Sequence, residues 1–172
     1  MLEIIEKCFD EKKVTSFYFN KEDNTKHLTG YIHAYNDDEL LIAHISSRGL
    51  YDGFILNKTS ELYCITYDGC YEEKIKKLYT LKSQKHPAIE CGDCILFSLL
   101  DFSKNNNHIV SLELSNDTIV GFIDKYDDNY IYLDMIDEYG HGLGKCIIDY
   151  DEVITFACDS DDEQDLKMLC SL

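Results

Sequence analysis

The chain has 172 residues, 45% of them apolar and only one a proline, a composition that excludes a disordered or collagen-like chain. Its formal net charge is −17, which disfavours polyanionic ligands. No apolar run approaches the roughly 18 residues of a membrane-crossing helix, and the opening residues lack a signal peptide's charged and apolar blocks. The cytoplasm is therefore the expected compartment, with the eight cysteines as reduced thiols.

In chain order, residues 2–11 place apolar side chains at helical spacing and predict a short helix. Residues 14–19 are rich in strand formers. Residues 21–26 form a polar hairpin tip, and residues 28–35 a second strand interrupted by Gly30, where glycine marks a bend or a close backbone approach. Asn36, Asp37 and Asp38 are turn chemistry. Residues 40–45, 54–56 and 62–65 complete five strands, and residues 71–81 predict a helix. A linker follows at residues 82–93, with Pro87 biasing His86 to an extended form. Residues 94–102 begin a second helix-then-strand opening. Strands are then expected at 109–114, 118–125, 130–136, 145–148 and 153–157, and a last helix at 161–169. Short, evenly spaced strands bounded by Asp, Asn or Gly are the signature of a small barrel or sandwich.

The two halves repeat each other. Shifting the sequence by 91 positions lays Gly30 over Gly121, Tyr35 over Tyr126, Gly49 over Gly140, Gly53 over Gly144, Asp68 over Asp159 and Glu72 over Glu163. About a quarter of the positions are identical, and apolar positions mostly fall on apolar ones. Glycines, apolar alternation and a trailing helix kept in one register indicate a tandem duplication. The units are residues 1–81 and 94–172, joined by the linker 82–93. Charge divides unequally between the halves. Residues 1–86 carry 12 Lys/Arg against 14 Asp/Glu, and residues 87–172 carry 4 against 19, a balance of −2 against −15. The second half should repel polyanions; it offers a solubilising surface or an acidic face for a basic partner.

Several groups suggest chemistry. Cys91 and Cys94 form a CxxC pair, a candidate redox or zinc site; the competing reading is two small thiols at a helix start with Asp93 near the cap. Cys8, Cys64, Cys146, Cys158 and Cys170 lie among apolar residues and are expected in the core. The run Gly140 to Lys145 resembles a phosphate loop, but it lies between two strands and lacks the helix N-terminus such a loop needs. His33 and His44 are candidates to share a sheet face. Tyr31, Tyr35, Tyr51, Tyr63 and Tyr67 are candidates for a stacking platform, or else for barrel walls. Lys74, Lys76, Lys77, Lys82 and Lys85 make the one basic stretch, a solvated helix face or a dock for the acidic half.

A short helix followed by five bent strands, with Gly30, Ile32, Tyr35 and Asn36 in one half and Gly121, Ile123, Tyr126 and Asp127 in the other, resembles the Sm-like (LSm) family. The resemblance covers both repeats. It implies two five-stranded barrels, ring formation by edge-strand pairing, and single-stranded RNA as a ligand. Leu40 and Ile131 stand where the family places a base-reading Asn. Lys58-Thr59 and Asp149-Tyr150 stand where it places Arg-Gly.

The expected fold is therefore mainly β with short helices: two tandem five-stranded Sm-like or SH3-like small barrels, each preceded by a helix. The expected function is a non-enzymatic protein-interaction or assembly module, with a protein partner or self-association and no cofactor, membrane or small-molecule substrate. The alternatives are single-stranded RNA binding through the first repeat, disfavoured by charge, and a redox or zinc site at Cys91 and Cys94. The residues expected to touch RNA or a partner are Tyr35, Asn36, Arg48, Lys58, Tyr126 and Asp127.

Overall fold

The computed structural model describes residues 1–23 and 25–171. It divides into two compact units, Met1–Ala88 and Ile89–Leu172. Each unit is mainly antiparallel β with two short helices.

The first unit runs α1 (Leu2–Asp10), β1 (Thr15–Tyr18), β2 (Leu28–Tyr35), β3 (Glu39–Ile45), β4 (Tyr51–Lys58), a 3-10 turn (Thr59–Glu61), β5 (Cys64–Tyr67) and α2 (Cys70–Leu81). The second runs α3 (Ile95–Asn105), β6 (Ile109–Glu113), β7 (Thr118–Tyr126), β8 (Tyr130–Ile136), β9 (Gly142–Asp149), a 3-10 turn (Tyr150–Glu152), β10 (Thr155–Cys158) and α4 (Asp161–Leu169). Strands lie side by side as β5-β1-β2-β3-β4 in the first unit and as β10-β6-β7-β8-β9 in the second. Among the described residues the hydrogen-bonded ladders of each unit form an open series. Among the described residues no ladder within either unit closes that series into the expected barrel. After β4 the 3-10 turn redirects the chain, and Tyr63 N–H donates to Tyr18 C=O at 3.1 Å, which sets β5 beside β1.

Sequence reasoning started β4 and β9 too late, at Phe54 and Lys145, because Gly53 and Gly144 read as loop. Both glycines lie inside their strands at positive φ, 70° and 105°. The expected hairpin tip at residues 21–26 includes Asn24, which lies outside the described residues.

Strands β2 and β7 carry the same irregularity. The ladders shift register between Ile32 and Ala34, and between Ile123 and Lys125. Just before each shift stands a glycine pressed against the next strand. A Cβ on Gly30 would lie 2.1 Å from Ala43 C=O, and one on Gly121 2.3 Å from Asp134 C=O. Only glycine lets the backbones approach this closely.

The helices complete the core. Ile5 and Cys8, three apart on α1, are fully buried and pack with Phe17, Ile32, Leu40, Ile42 and Leu62. On α2, Ile75 and Tyr79 pack with Val14 and Ile45. In the second unit Leu99, Leu100, Leu112, Ile131, Leu133 and Phe156 are at most 1% exposed. Three helices end alike. Lys12, Ser83 and Asn107 adopt φ of 48°, 54° and 51°. The next residues, Lys13, Gln84 and His108, donate N–H back to Cys8, Tyr79 and Ser103 C=O at 2.9, 3.1 and 2.8 Å. These are Schellman closures without the usual glycine.

Cys8 and Cys158 are fully buried as expected. Cys64, Cys146 and Cys170 are only half-buried, and all eight cysteines are free thiols.

Candidate functional site

The residues singled out from sequence divide between turn-building and surface roles. Tyr35 ends β2 half-buried, its ring edge-on to Phe9 of α1 at 5.4 Å. The Asn36 side-chain oxygen accepts from the N–H groups of Asp38 and Glu39 at 2.9 and 2.7 Å, and its amide donates to Glu39 Oε2 at 3.1 Å. Asp127 repeats this turn: Oδ1 accepts from Asn129 and Tyr130 N–H, both at 3.0 Å, and Oδ2 from Tyr132 O–H at 3.0 Å. The N–H of Asn129, together with the other two donors, holds the Asp127 carboxyl below the usual carboxylate range. Tyr126 donates its O–H to Asp101 and stacks on Phe97 at 5.6 Å; burial foremost, then Asp101, pushes its phenol up to about 12. The shared Tyr-Asn and Tyr-Asp pairs thus encode an aromatic anchor and a side-chain-closed turn.

Lys58 ends β4 opposite Glu39, so Tyr35, Asn36 and Lys58 gather at one end of the first unit's strands. Arg48 sits at the other end, in the β3–β4 loop, where its C=O accepts from Lys82 Nζ at 2.6 Å. It does not join the other three. Leu40 and Ile131 are fully buried and offer no edge-reading group. Asp149 caps the 3-10 turn, accepting from Asp151 N–H at 3.0 Å.

Cys94 is the N-cap of α3, with Asp93 next to it, and no side chain caps that end. Cys91 Sγ donates weakly to Ile89 C=O at 3.8 Å. Among the described residues no group of three His, Cys, Asp or Glu side chains is placed to hold a metal ion.

The five tyrosines do not form one platform. Tyr35 and Tyr67 pack on the core beneath α1, and Tyr31 packs with Tyr79. Tyr63 lies edge-on to Tyr18, and Tyr51 meets the His86 ring at 4.6 Å. Within the first unit, Lys77 pairs with Glu73 at 3.3 Å and Lys74 lies over the Tyr71 ring.

Two features escaped the sequence reading. The first is a latch. After α2 the chain turns back over β3 and β4. Gln84 Oε1 accepts from Tyr51 N–H at 3.0 Å. His86 Nε2 donates to His44 and Gly53 C=O at 2.8 and 3.1 Å, and its Nδ1 accepts from Tyr79 O–H at 2.7 Å. The ladder shifts register between Ala43 and Ile45, and the His44 carbonyl, within that shift, takes His86 as its donor. Burial foremost, and the neighbouring His33 and His44, depress the His86 imidazole to about 4. His33 packs on Phe54, and His44 Nδ1 faces Asp52 Oδ2 at 3.2 Å. Pro87 was the only signal for this latch.

The second feature is the outer strand of the second unit. Strand β9 is terminal in its series and pairs with β8. Leu143 and Ile147 are 61% and 62% exposed; Lys145 and Ile147 share a face, while Leu143 lies within the register shift at Gly142 and Gly144. Tyr130 of β8 is 42% exposed. The 91-position equivalents of Lys145 and Ile147, Phe54 and Leu56 on β4, are 0% and 6% exposed. The signal was present in the sequence: Ile147 and Ile148 are adjacent, and a strand turns neighbours to opposite faces. Lys145 is held by Asp124 at 2.7 Å and Asp134 at 3.0 Å, and Lys125 lies 4.4 Å over the Tyr132 ring.

Among the described residues no helix is long and apolar enough to cross a membrane. No protein-family model matches the chain, and no curated protein matches it.

Proposed function

We propose that the chain is a non-enzymatic, cytoplasmic interaction module: a tandem duplication of a small Sm-like or SH3-like barrel unit that engages another protein by strand addition at β9. The observation that carries this is the terminal position of β9 together with its exposed Leu143 and Ile147. A terminal strand directs every second N–H and C=O outward, a template for another backbone. Exposed apolar side chains beside that template would be buried by the incoming strand. The barrel reading is supported by the order helix, five strands, helix in both units, and by Gly30 and Gly121 at matched close approaches to the next strand.

Hydrogen-exchange mass spectrometry of the full chain tests this, with a short Thr-Val alternating peptide added. Slower exchange over residues 142–149 is expected. No slowing there, with slowing over residues 35–58 on adding single-stranded RNA, would replace this reading by RNA binding through the first unit.

A further inference from the structure

We infer that the latch is a displaceable internal ligand: the first unit has a second arrangement, in which His86 leaves and His44 pairs directly with Gly53 across β3 and β4. This exchange is independent of strand addition at β9. The second unit displays the pairing. Its ladder runs Asp134 to Lys145, Met135 to Gly144 and Ile136 to Gly142, so one residue of β9, Leu143, is extra. At the positions 91 earlier, the first unit pairs Ala43 with Phe54 and Ile45 with Tyr51. The excess on β4 is the same single residue, but among the described residues the rung between His44 and Gly53 is missing.

Carbonyl directions show what took its place. Ala43 C=O presses on Gly30 of β2. Successive carbonyls of a strand point to opposite sides, so His44 C=O points toward β4. Asp134 C=O presses likewise on Gly121, which turns Met135 C=O toward β9. In the first unit the carbonyls of His44 and Gly53 converge on one donor, His86 Nε2, at 2.8 and 3.1 Å. One imidazole N–H thus stands in for a rung. Its departure does not orphan the two carbonyls, because closing the rung in the existing register gives each an amide donor.

The recess that holds the ring is peculiar to the first unit. Tyr51, Phe54 and Tyr79 face the His86 ring with centroids at 4.6, 5.2 and 5.7 Å, and Tyr79 O–H donates to Nδ1 at 2.7 Å. The 91-position equivalents are Gly142, Lys145 and Cys170, which supply no ring. The unit with the recess lacks the rung, and the unit without the recess has it. What the recess accepts is a flat, neutral heterocycle with an N–H donor on one side and a nitrogen acceptor on the other.

Nuclear magnetic resonance of the full chain tests this. A hydrogen-bonded antiparallel pair exchanges both N–H···O bonds, which brings its two amide protons close enough for a nuclear Overhauser effect. Wild type is expected to show that effect between Met135 and Gly144 and not between His44 and Gly53. His86→Gly is expected to gain it between His44 and Gly53. Added imidazole, binding at about millimolar strength as so small a ligand would, is expected to remove it again. Gln84→Ala keeps the imidazole and deletes only the bond to Tyr51 N–H, so it serves if the glycine variant does not fold. It is expected to show the His44–Gly53 effect at reduced intensity, with carbethoxylation of His86 by diethylpyrocarbonate severalfold faster than in wild type, read by mass spectrometry. Folded His86→Gly without the His44–Gly53 effect would overturn the inference, since the gap would then belong to the strands themselves. An effect that imidazole leaves untouched would overturn the displaceable ligand. Faster carbethoxylation in Gln84→Ala with no His44–Gly53 effect would overturn the exchange as well.

Discussion

Glu72 and Glu163 occupy the third position of α2 and α4, yet their surroundings push them in opposite directions. Burial alone would raise Glu72. Hydroxyl donors outweigh it: Ser16 at 2.7 Å and Thr66 at 2.8 Å both serve one carboxylate oxygen, and its carboxyl lies below the usual value. Glu163 has Ser111 and Ser160, but burial wins and its carboxyl is raised. Glu72 thus contributes stability that is present at neutral pH and lost as acid protonates it. Glu163 contributes stability that is present in acid and lost as pH rises through its elevated folded value. Glu72→Gln should cost about 1 kcal/mol at pH 7. Glu163→Gln should be neutral or stabilising there and should flatten the mild-acid end of the profile. Urea unfolding of both variants at pH 7 and pH 5 would show it; equal losses would refute the distinction. His86 follows a third course. Its folded value of about 4 lies below its ordinary 6.5, so the latch is fully stabilising above pH 6.5 and weakens as pH falls toward 4. The contribution is at most roughly 3 kcal/mol. His86→Gln should lower stability at pH 7 and remove that dependence, with faster amide exchange in β3 and β4.

At the scale of elements, the sequence placed all ten strands and four helices because apolar period and turn residues agreed in both units. It misjudged the ends of β4 and β9, where glycine at positive φ continues a strand instead of ending it. The Tyr-Asn and Tyr-Asp pairs were legible as special but not as turn closures, since nothing in a one-dimensional pattern shows which donors converge on a side chain. Helix starts give the next test. Ser160 closes a capping box with Glu163 on α4, and Ser160→Ala should cost about 1 kcal/mol. Gly69 begins α2 without a side-chain cap, so Gly69→Ala should cost more through crowding of Glu72 Oε2, 2.5 Å from the added Cβ. Gly30→Ala and Gly121→Ala press on backbone instead and should each cost roughly 3 kcal/mol, read as a lower urea midpoint. A loss below 1 kcal/mol would mean the strand relaxes around the methyl.

For the molecule as a whole, charge asymmetry was fully legible in the sequence, whereas the identity of the terminal strand was not. Composition reports how many carboxylates a unit holds, but only the ladders show which strand ends the series. The asymmetry predicts an unequal response to salt. Self-repulsion in a unit at −15 is relieved by screening, and one at −2 has little to relieve. Raising sodium chloride from low concentration to about 0.5 M should therefore raise the unfolding temperature of residues 89–172 by several degrees and leave residues 1–88 nearly unchanged. Hydrogen exchange followed unit by unit distinguishes them; an equal rise in both would show that general salt effects dominate.

The hairpin joining β1 to β2 spans ten residues between the paired Phe17 and Leu28, where its counterpart spans six between Leu112 and Ile119. Strand register beyond it is the same in both units, so the fold accepts a four-residue difference there without relaying it to the ladders. Loop closure is forgiving of such length, at about 0.6 kcal/mol per doubling. The hairpin is thus a natural insertion port. A fluorophore or short tag placed in it would report on the protein while leaving β9 and the His86 latch chemically unaltered.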